Sequence, residues 1–299
     1  MSRDTGPARA GDYLRALPLY PLPHHLLSRL MLGFTRIRQP WVKNAFTRWF
    51  AARYGVDMEQ ALEPDLTAYP DFNSFFTRAL RADARPAPAD PEAVCSPVDG
   101  TVSQLGTVHA GRIFQAKGQA FTVQELLGGD PARAAPFTEG AFATLYLSPR
   151  DYHRVHMPVP GRLRETVHVP GRLFSVAPHT TRTIPRLFAR NERLAAFFDT
   201  PAGPVAVVLV GAIFVACIET VWSGVVTPPR ARRVTVRDFR GDARAPELER
   251  CQELGRFNMG STVIVLFGPG RVSWNPELAA GSGVRVGQPI AAPQAGARP

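Results

Sequence analysis

Three side-chain types that together can activate a hydroxyl occur in this chain in the order carboxylate, imidazole, serine. Asp99 lies in Ser96-Pro97-Val98-Asp99-Gly100, His153 and His156 in Tyr152-His153-Arg154-Val155-His156-Met157-Pro158, and Ser261 in Phe257-Asn258-Met259-Gly260-Ser261-Thr262. A serine hydroxyl is a poor nucleophile near neutral pH unless a base removes its proton. An imidazole does this best when a carboxylate fixes its tautomer. Gly260 places the hydroxyl beside a flexible peptide bond, and the β-branched run from Val263 to Phe267 reads as a buried strand behind it. Residue types alone leave blander readings open: a turn serine, a satisfied core histidine, and an Asx-turn aspartate before Gly100.

The elements that must position these residues are short. Ser96 to Leu105, Arg112 to Ala116, Ala141 to Leu147 and Gly161 to Val169 read as strands separated by Gly and Pro turns, a β-rich pattern rather than alternating βα units. Thr200 to Ile218 is uncharged over 19 residues, but Pro201, Gly203, Pro204 and Gly211 interrupt it. Its valines favour two core strands meeting near Gly211 over a spanning helix. Residues 71–82 read as a helix, Arg85 to Pro91 as an extended linker, Pro228 to Glu253 as irregular, and Gly270 to Ile290 as one or two strands. The fold class is α+β: amphipathic N-terminal helices (1–70), then a β-rich core of short, mostly antiparallel strands (71–290), then a disordered tail (291–299).

At 299 residues and 45% apolar content the chain can bury a sizeable core. Of its net charge of +10, nine Lys or Arg against Asp4 and Asp12 fall within residues 1–54. Such a basic end suits nucleic acid or an anionic membrane, and the apolar pattern decides between them. Leu26, Leu27, Leu30, Met31, Phe34 and Ile37 recur at helical spacing, as do Trp41, Val42, Ala45, Phe46, Trp49 and Phe50 after Pro40, with Gly55 a plausible stop. Neither run reaches spanning length, so the pair reads as lying in a bilayer interface, a hairpin packed on the core being the rival. Residues 1–12 are polar, read as frayed, and carry no secretory pattern. Cys95, Cys217 and Cys251 lack Cys-x-x-Cys spacing and His partners, so they read as reduced thiols and no metal is implied.

Five segments in order, Ser96 to Gly100, Tyr146 to Pro158, Phe188 to Arg193, Ile218 to Trp222 and Gly255 to Thr262, resemble bacterial phosphatidylserine decarboxylases; the likeness runs from about Asp71 to Ile290. The resemblance implies a membrane-associated carboxy-lyase that converts phosphatidylserine to phosphatidylethanolamine and CO2. It implies that Ser261 is the precursor of a covalent pyruvoyl cofactor. His156, oriented by Asp99, would deprotonate Ser261 for attack on the Gly260 carbonyl; the chain would then break between Gly260 and Ser261. The products would be a large chain, 1–260, paired with a small chain, 261–299, and further dimerisation stays open. The substrate amine would form a Schiff base with the pyruvoyl group, with His153 as acid or substrate contact. His179 would line the head-group pocket, and the enzyme would sit peripherally on the cytoplasmic side of the cell membrane. Met259 and Val98 stand where leucine and alanine are usual, and both swaps keep an apolar residue. The alternative is a serine hydrolase of lipid esters using an Asp99, His156, Ser261 triad; the absence of a Gly-x-Ser-x-Gly elbow argues against it.

Overall fold

In a computed structural model, residues 7–214, 217–227, 232–258 and 262–294 are described. The first 76 residues supply four helices: α1 (Ala10–Ala16), α2 (His24–Thr35), α3 (Pro40–Tyr54) and α4 (Phe72–Phe76). Pro40 opens α3 at a position where a missing N–H costs nothing, and Gly55 closes it in the left-handed region at φ 65°. Residues 71–82, expected as one helix, give only α4. Asp71 caps it by accepting from the Ser74 N–H at 2.8 Å, and it ends where the Thr77 carbonyl accepts from Arg154 Nε at 3.0 Å.

The apolar stripe of α2 faces away from the protein. Leu30 is 63% exposed, whereas Ser28 is 1% exposed and donates no face to solvent; its hydroxyl accepts from the Phe214 N–H. His24 and Thr35 are buried on the same side. Trp41, at 77%, and Trp49 extend the outward apolar surface along α3. The opposite side of α3 joins α4: Phe50, Tyr69, Phe72, Phe75 and Phe76 form an aromatic cluster that crosses the expected boundary at residue 70. Against the expectation that residues 1–12 are frayed, α1 begins at Ala10, and there Asp12 is buried in an ion pair with Arg182 at 3.0 Å.

The core is one nine-stranded sheet of antiparallel ladders. Its strands run in the order Thr235–Asp238, Gly161–Val169, Arg193–Thr200, Gly203–Val210, Thr262–Phe267, Ala141–Tyr146, Gly100–Thr107 and Gly283–Val284, with Glu247–Leu248 also on Gly161–Val169. Thr262–Phe267 is central and buried throughout, pairing with Ala141–Tyr146 on one side and Gly203–Val210 on the other. A continuous run of valine, isoleucine and leucine is what a strand covered on both faces requires. A second sheet takes Gly224–Val225, Ile218–Thr220, Glu253–Phe257 and Arg154–His156 in that order. Pro289–Pro293 pairs with Val272–Trp274, so regular structure extends past the expected tail boundary at 291; residues 295–299 lie outside the described residues.

Candidate active site

The chain passes from one sheet to the other at the segment carrying the predicted nucleophile. Glu253–Phe257 pairs with Arg154–His156, matching Glu253 to His156, and the Phe257 N–H donates to the His153 carbonyl at 3.0 Å. Asn258 is buried and its N–H donates to the Cys217 carbonyl at 2.9 Å. Four residues on, Thr262 is locked between Tyr146 and Val210 in the central strand. Gly260 and Ser261, the predicted cleavage pair, lie with Met259 outside the described residues, and Asn258 and Thr262 bracket them. Both predicted histidines therefore flank the strand that enters this bracket.

His153 is fully buried, with its ring 4.0 Å from that of Phe76 on α4. Its Nδ1 meets the Asp151 carbonyl at 2.7 Å; a carbonyl only accepts, so Nδ1 carries the hydrogen. Burial removes the solvation an imidazolium needs and pulls its pKa down to about 3. Nε2 has no partner among the described residues. His156 is held in the same tautomer, Nδ1 donating to the Cys251 carbonyl at 2.7 Å, and its Nε2 accepts from the Tyr152 hydroxyl at 3.2 Å. Burial lowers its pKa as well, so the ring is neutral with a lone pair on Nε2, the state a general base requires.

Asp99 does not orient His156 in this arrangement, contrary to the sequence expectation. Its carboxylate accepts from Arg85 Nε at 2.9 Å and from the Val286 N–H at 2.9 Å, and pairs with Arg85 Nη2. These partners occupy it, and the Cys251 carbonyl takes the tautomer-fixing part. Asp99 is nonetheless in the same wall, since the His156 N–H donates to the Pro97 carbonyl at 2.8 Å. Gly100 is required there: a Cβ would stand 2.3 Å from the Tyr146 carbonyl oxygen. His179 sits on the short helix Pro178–Thr183, packed on α1 beside Asp12 and Arg182, and does not line the cavity described next. Docking of α1 through the Asp12–Arg182 pair accounts for that placement.

A cavity of about 470 Å³ opens against the 150–152 loop and is lined by Arg78, Arg85, Asp99, Arg150, Asp151 and Tyr152 among others. Buried polar atoms without hydrogen-bond partners among the described residues include His153 Nε2, Asn258 Nδ2 and Thr262 Oγ1, together with Asn73 Oδ1, whose own Nδ2 donates to Asn258 Oδ1 at 2.8 Å. Leaving such groups unpaired costs about 1–3 kcal/mol each. The amide of Asn258 and the hydroxyl of Thr262 are the donors of this set, the kind of partner a carbonyl oxygen takes. Among the described residues no cluster of His, Cys, Asp and Glu could hold a metal ion. Tyr152, Arg85, Arg78 and Asn73 were not singled out by the sequence. Tyr152 adjoins His153 and carried a signal; the other three are displayed only by tertiary contacts.

A family model described as phosphatidylserine decarboxylase matches residues 72–292, and one described as PSD matches residues 14–55. The chain is 62% identical over 280 residues to the phosphatidylserine decarboxylase proenzyme of Pseudomonas fluorescens strain SBW25, covering 93% of this chain and 98% of that protein. It is 61% identical over 274 residues to the proenzyme of the same name from Pseudomonas putida strain F1, covering 92% and 96%.

Proposed function

Because the chain belongs to the phosphatidylserine decarboxylase family, we propose that it is a self-processing decarboxylase that converts phosphatidylserine to phosphatidylethanolamine and CO2. The observation that carries this reading is the ladder placing His153 and His156 along the strand that leads to Gly260 and Ser261. His156 Nε2 takes the Ser261 hydroxyl proton, with the Cys251 carbonyl holding the tautomer. The Ser261 oxygen attacks the Gly260 carbonyl, turning the amide into an ester; β-elimination separates chain 1–260 from chain 261–299 and leaves dehydroalanine at residue 261, whose imine tautomer water hydrolyses to the pyruvoyl ketone with release of ammonia. Asp99 and Arg85 form a charge pair in the same wall, and the carboxylates of Glu253 and, more weakly, Asp99 favour the cationic form of His156 during the transfer.

The pyruvoyl group left at residue 261 supplies an electron-withdrawing ketone for the loss of CO2. In this reading His153, neutral and with no partner on Nε2 among the described residues, exchanges a proton with the substrate. Thr262, paired in the central strand, and Asn258, bonded to the Cys217 carbonyl, hold the two ends of the bracket. Water is excluded from His153 by the aromatic cluster behind Phe76.

The outward apolar face of α2 and α3, with the basic residues of positions 1–54, supports peripheral docking on an anionic bilayer. No helix among the described residues is long and apolar enough to cross a membrane. The test of the whole reading uses purified protein on a denaturing gel with a CO2-release assay. Wild type gives two chains and releases CO2; Ser261→Ala gives one chain and none; His153→Ala gives two chains and little CO2. An active preparation consisting of one uncut chain refutes the scheme.

A further inference from the structure

Arg78 is a buried cation whose Cζ lies 5.6 Å from the centroid of the Phe75 ring, an attraction weaker than an ion pair. It is 5% exposed, and among the described residues no carboxylate lies within ion-pair distance of it. Its Nη2 reaches only the Arg150 carbonyl, at 3.3 Å, and its Nε has no partner. A guanidinium in such surroundings is expensive to bury without an anion. The neighbouring charges are already engaged. Arg85 is committed to Asp99, the Asp151 carboxylate accepts from the Ser148 N–H at 2.7 Å, and Asp57 accepts from the Glu59 N–H and from Gln60 Nε2.

Arg78 lines the 470 Å³ cavity together with Arg150 and Arg285, so four guanidinium groups, with Arg85, face three carboxylates there. That volume suits a polar head group. Arg78 also follows directly on α4, whose Phe76 packs on His153, so cation and imidazole are set by one short element. We infer that Arg78 anchors a phosphodiester subsite, holding the lipid phosphate at the cavity beside the His153 loop while Arg150 and Arg285 add charge to its wall. This rests on the decarboxylase reading.

The substrate offers two anions, and the reaction tells them apart. The carboxylate loses its charge as CO2 departs, so a strong ion pair to it would be weaker in the transition state than in the ground state and would slow the step. The phosphodiester keeps its charge throughout, so an arginine on it adds affinity without raising the barrier. A planar fork matches two phosphate oxygens, which a lysine cannot do.

The test compares processed wild-type enzyme with Arg78→Met and Arg78→Lys. Binding of glycerophosphoethanolamine, which carries the phosphodiester and no carboxylate, is read by calorimetry; KM and kcat are read on phosphatidylserine in detergent micelles. Wild type binds the probe, and Arg78→Met weakens it by about ten- to a hundredfold and raises KM in like measure, with kcat within about threefold. Self-cutting and the melting temperature serve as folding controls. If Arg78→Met does not fold, Arg78→Lys decides: about tenfold weaker probe binding supports the subsite, and wild-type binding overturns it. Equal probe binding by wild type and Arg78→Met overturns it, as does a raised KM accompanied by a raised kcat, which would put the guanidinium on the carboxylate. If wild type releases no CO2 from phosphatidylserine, the decarboxylase reading fails, and the probe comparison still scores the subsite by itself.

Discussion

Acidification should destabilise the folded chain through His153, by an amount that its surroundings set. The ring is fully buried against Phe76 and its pKa is pulled from 6.5 to about 3. Between those values the unfolded chain binds a proton that the native chain does not. Stability is therefore complete above pH 6.5 and is lost as pH falls toward the folded pKa. At about 1.4 kcal/mol per pH unit, lowering the pH from 7 to 5 withdraws about 2 kcal/mol through this one group. Urea unfolding of Ser261→Ala measures it on one covalent chain, where a single transition is meaningful. His24, His156 and His179 are also lowered by burial and contribute with the same sign, so the comparison is with Ser261→Ala carrying His153→Gln. The parent should lose about 2 kcal/mol more than the double variant over that interval. Equal losses would mean that His153 is not held neutral in the fold, and its proposed part in proton exchange would fall with it.

Three other outcomes follow from particular contacts. Gly100→Ala forces a methyl to within 2.3 Å of the Tyr146 carbonyl oxygen, so strand Gly100–Thr107 must shift and stability should drop by about 3 kcal/mol in urea. Tyr152→Phe removes the hydroxyl that occupies the His156 Nε2 lone pair; a time course of chain cutting should show cutting retained and no slower, with about 1 kcal/mol of stability lost. Leu30→Ala and Trp41→Ala remove exposed apolar surface, and each should lower sedimentation with phosphatidylserine-containing vesicles by about tenfold while leaving the fold intact.

Much of the architecture is legible from local signals, and the exceptions have tertiary causes. Helix α3 runs between the proline and glycine that mark its ends, and strands Arg112–Ala116 and Gly161–Val169 coincide with their Gly- and Pro-bounded runs. Helix α1 was unreadable because it is polar and gains its place through Asp12 and Arg182, which are far apart in the chain. Thr235–Asp238 is exposed along its length and joins the sheet by pairing with Gly161–Val169, so no buried face announces it. The amphipathic pattern of α2 was plain, whereas its direction was not, since Ser28 and His24 turn inward to backbone partners. At the site, residue types singled out His153, His156 and Asp99 as candidates. What fixes His156 is a main-chain carbonyl, at Cys251, and any residue could have offered one. The commitment of Asp99 to Arg85 depends on where the 85–91 linker lies, which has no periodicity to read.

The account depends most on the claim that the chain breaks ahead of Ser261 and leaves a ketone there. Intact-mass spectrometry of the small chain from active enzyme tests it directly. The predicted result is a chain spanning 261–299 whose first residue is pyruvoyl, lacking an α-amine and resisting N-terminal sequencing. A free α-amino serine at that end, in enzyme that releases CO2 from phosphatidylserine, would contradict it.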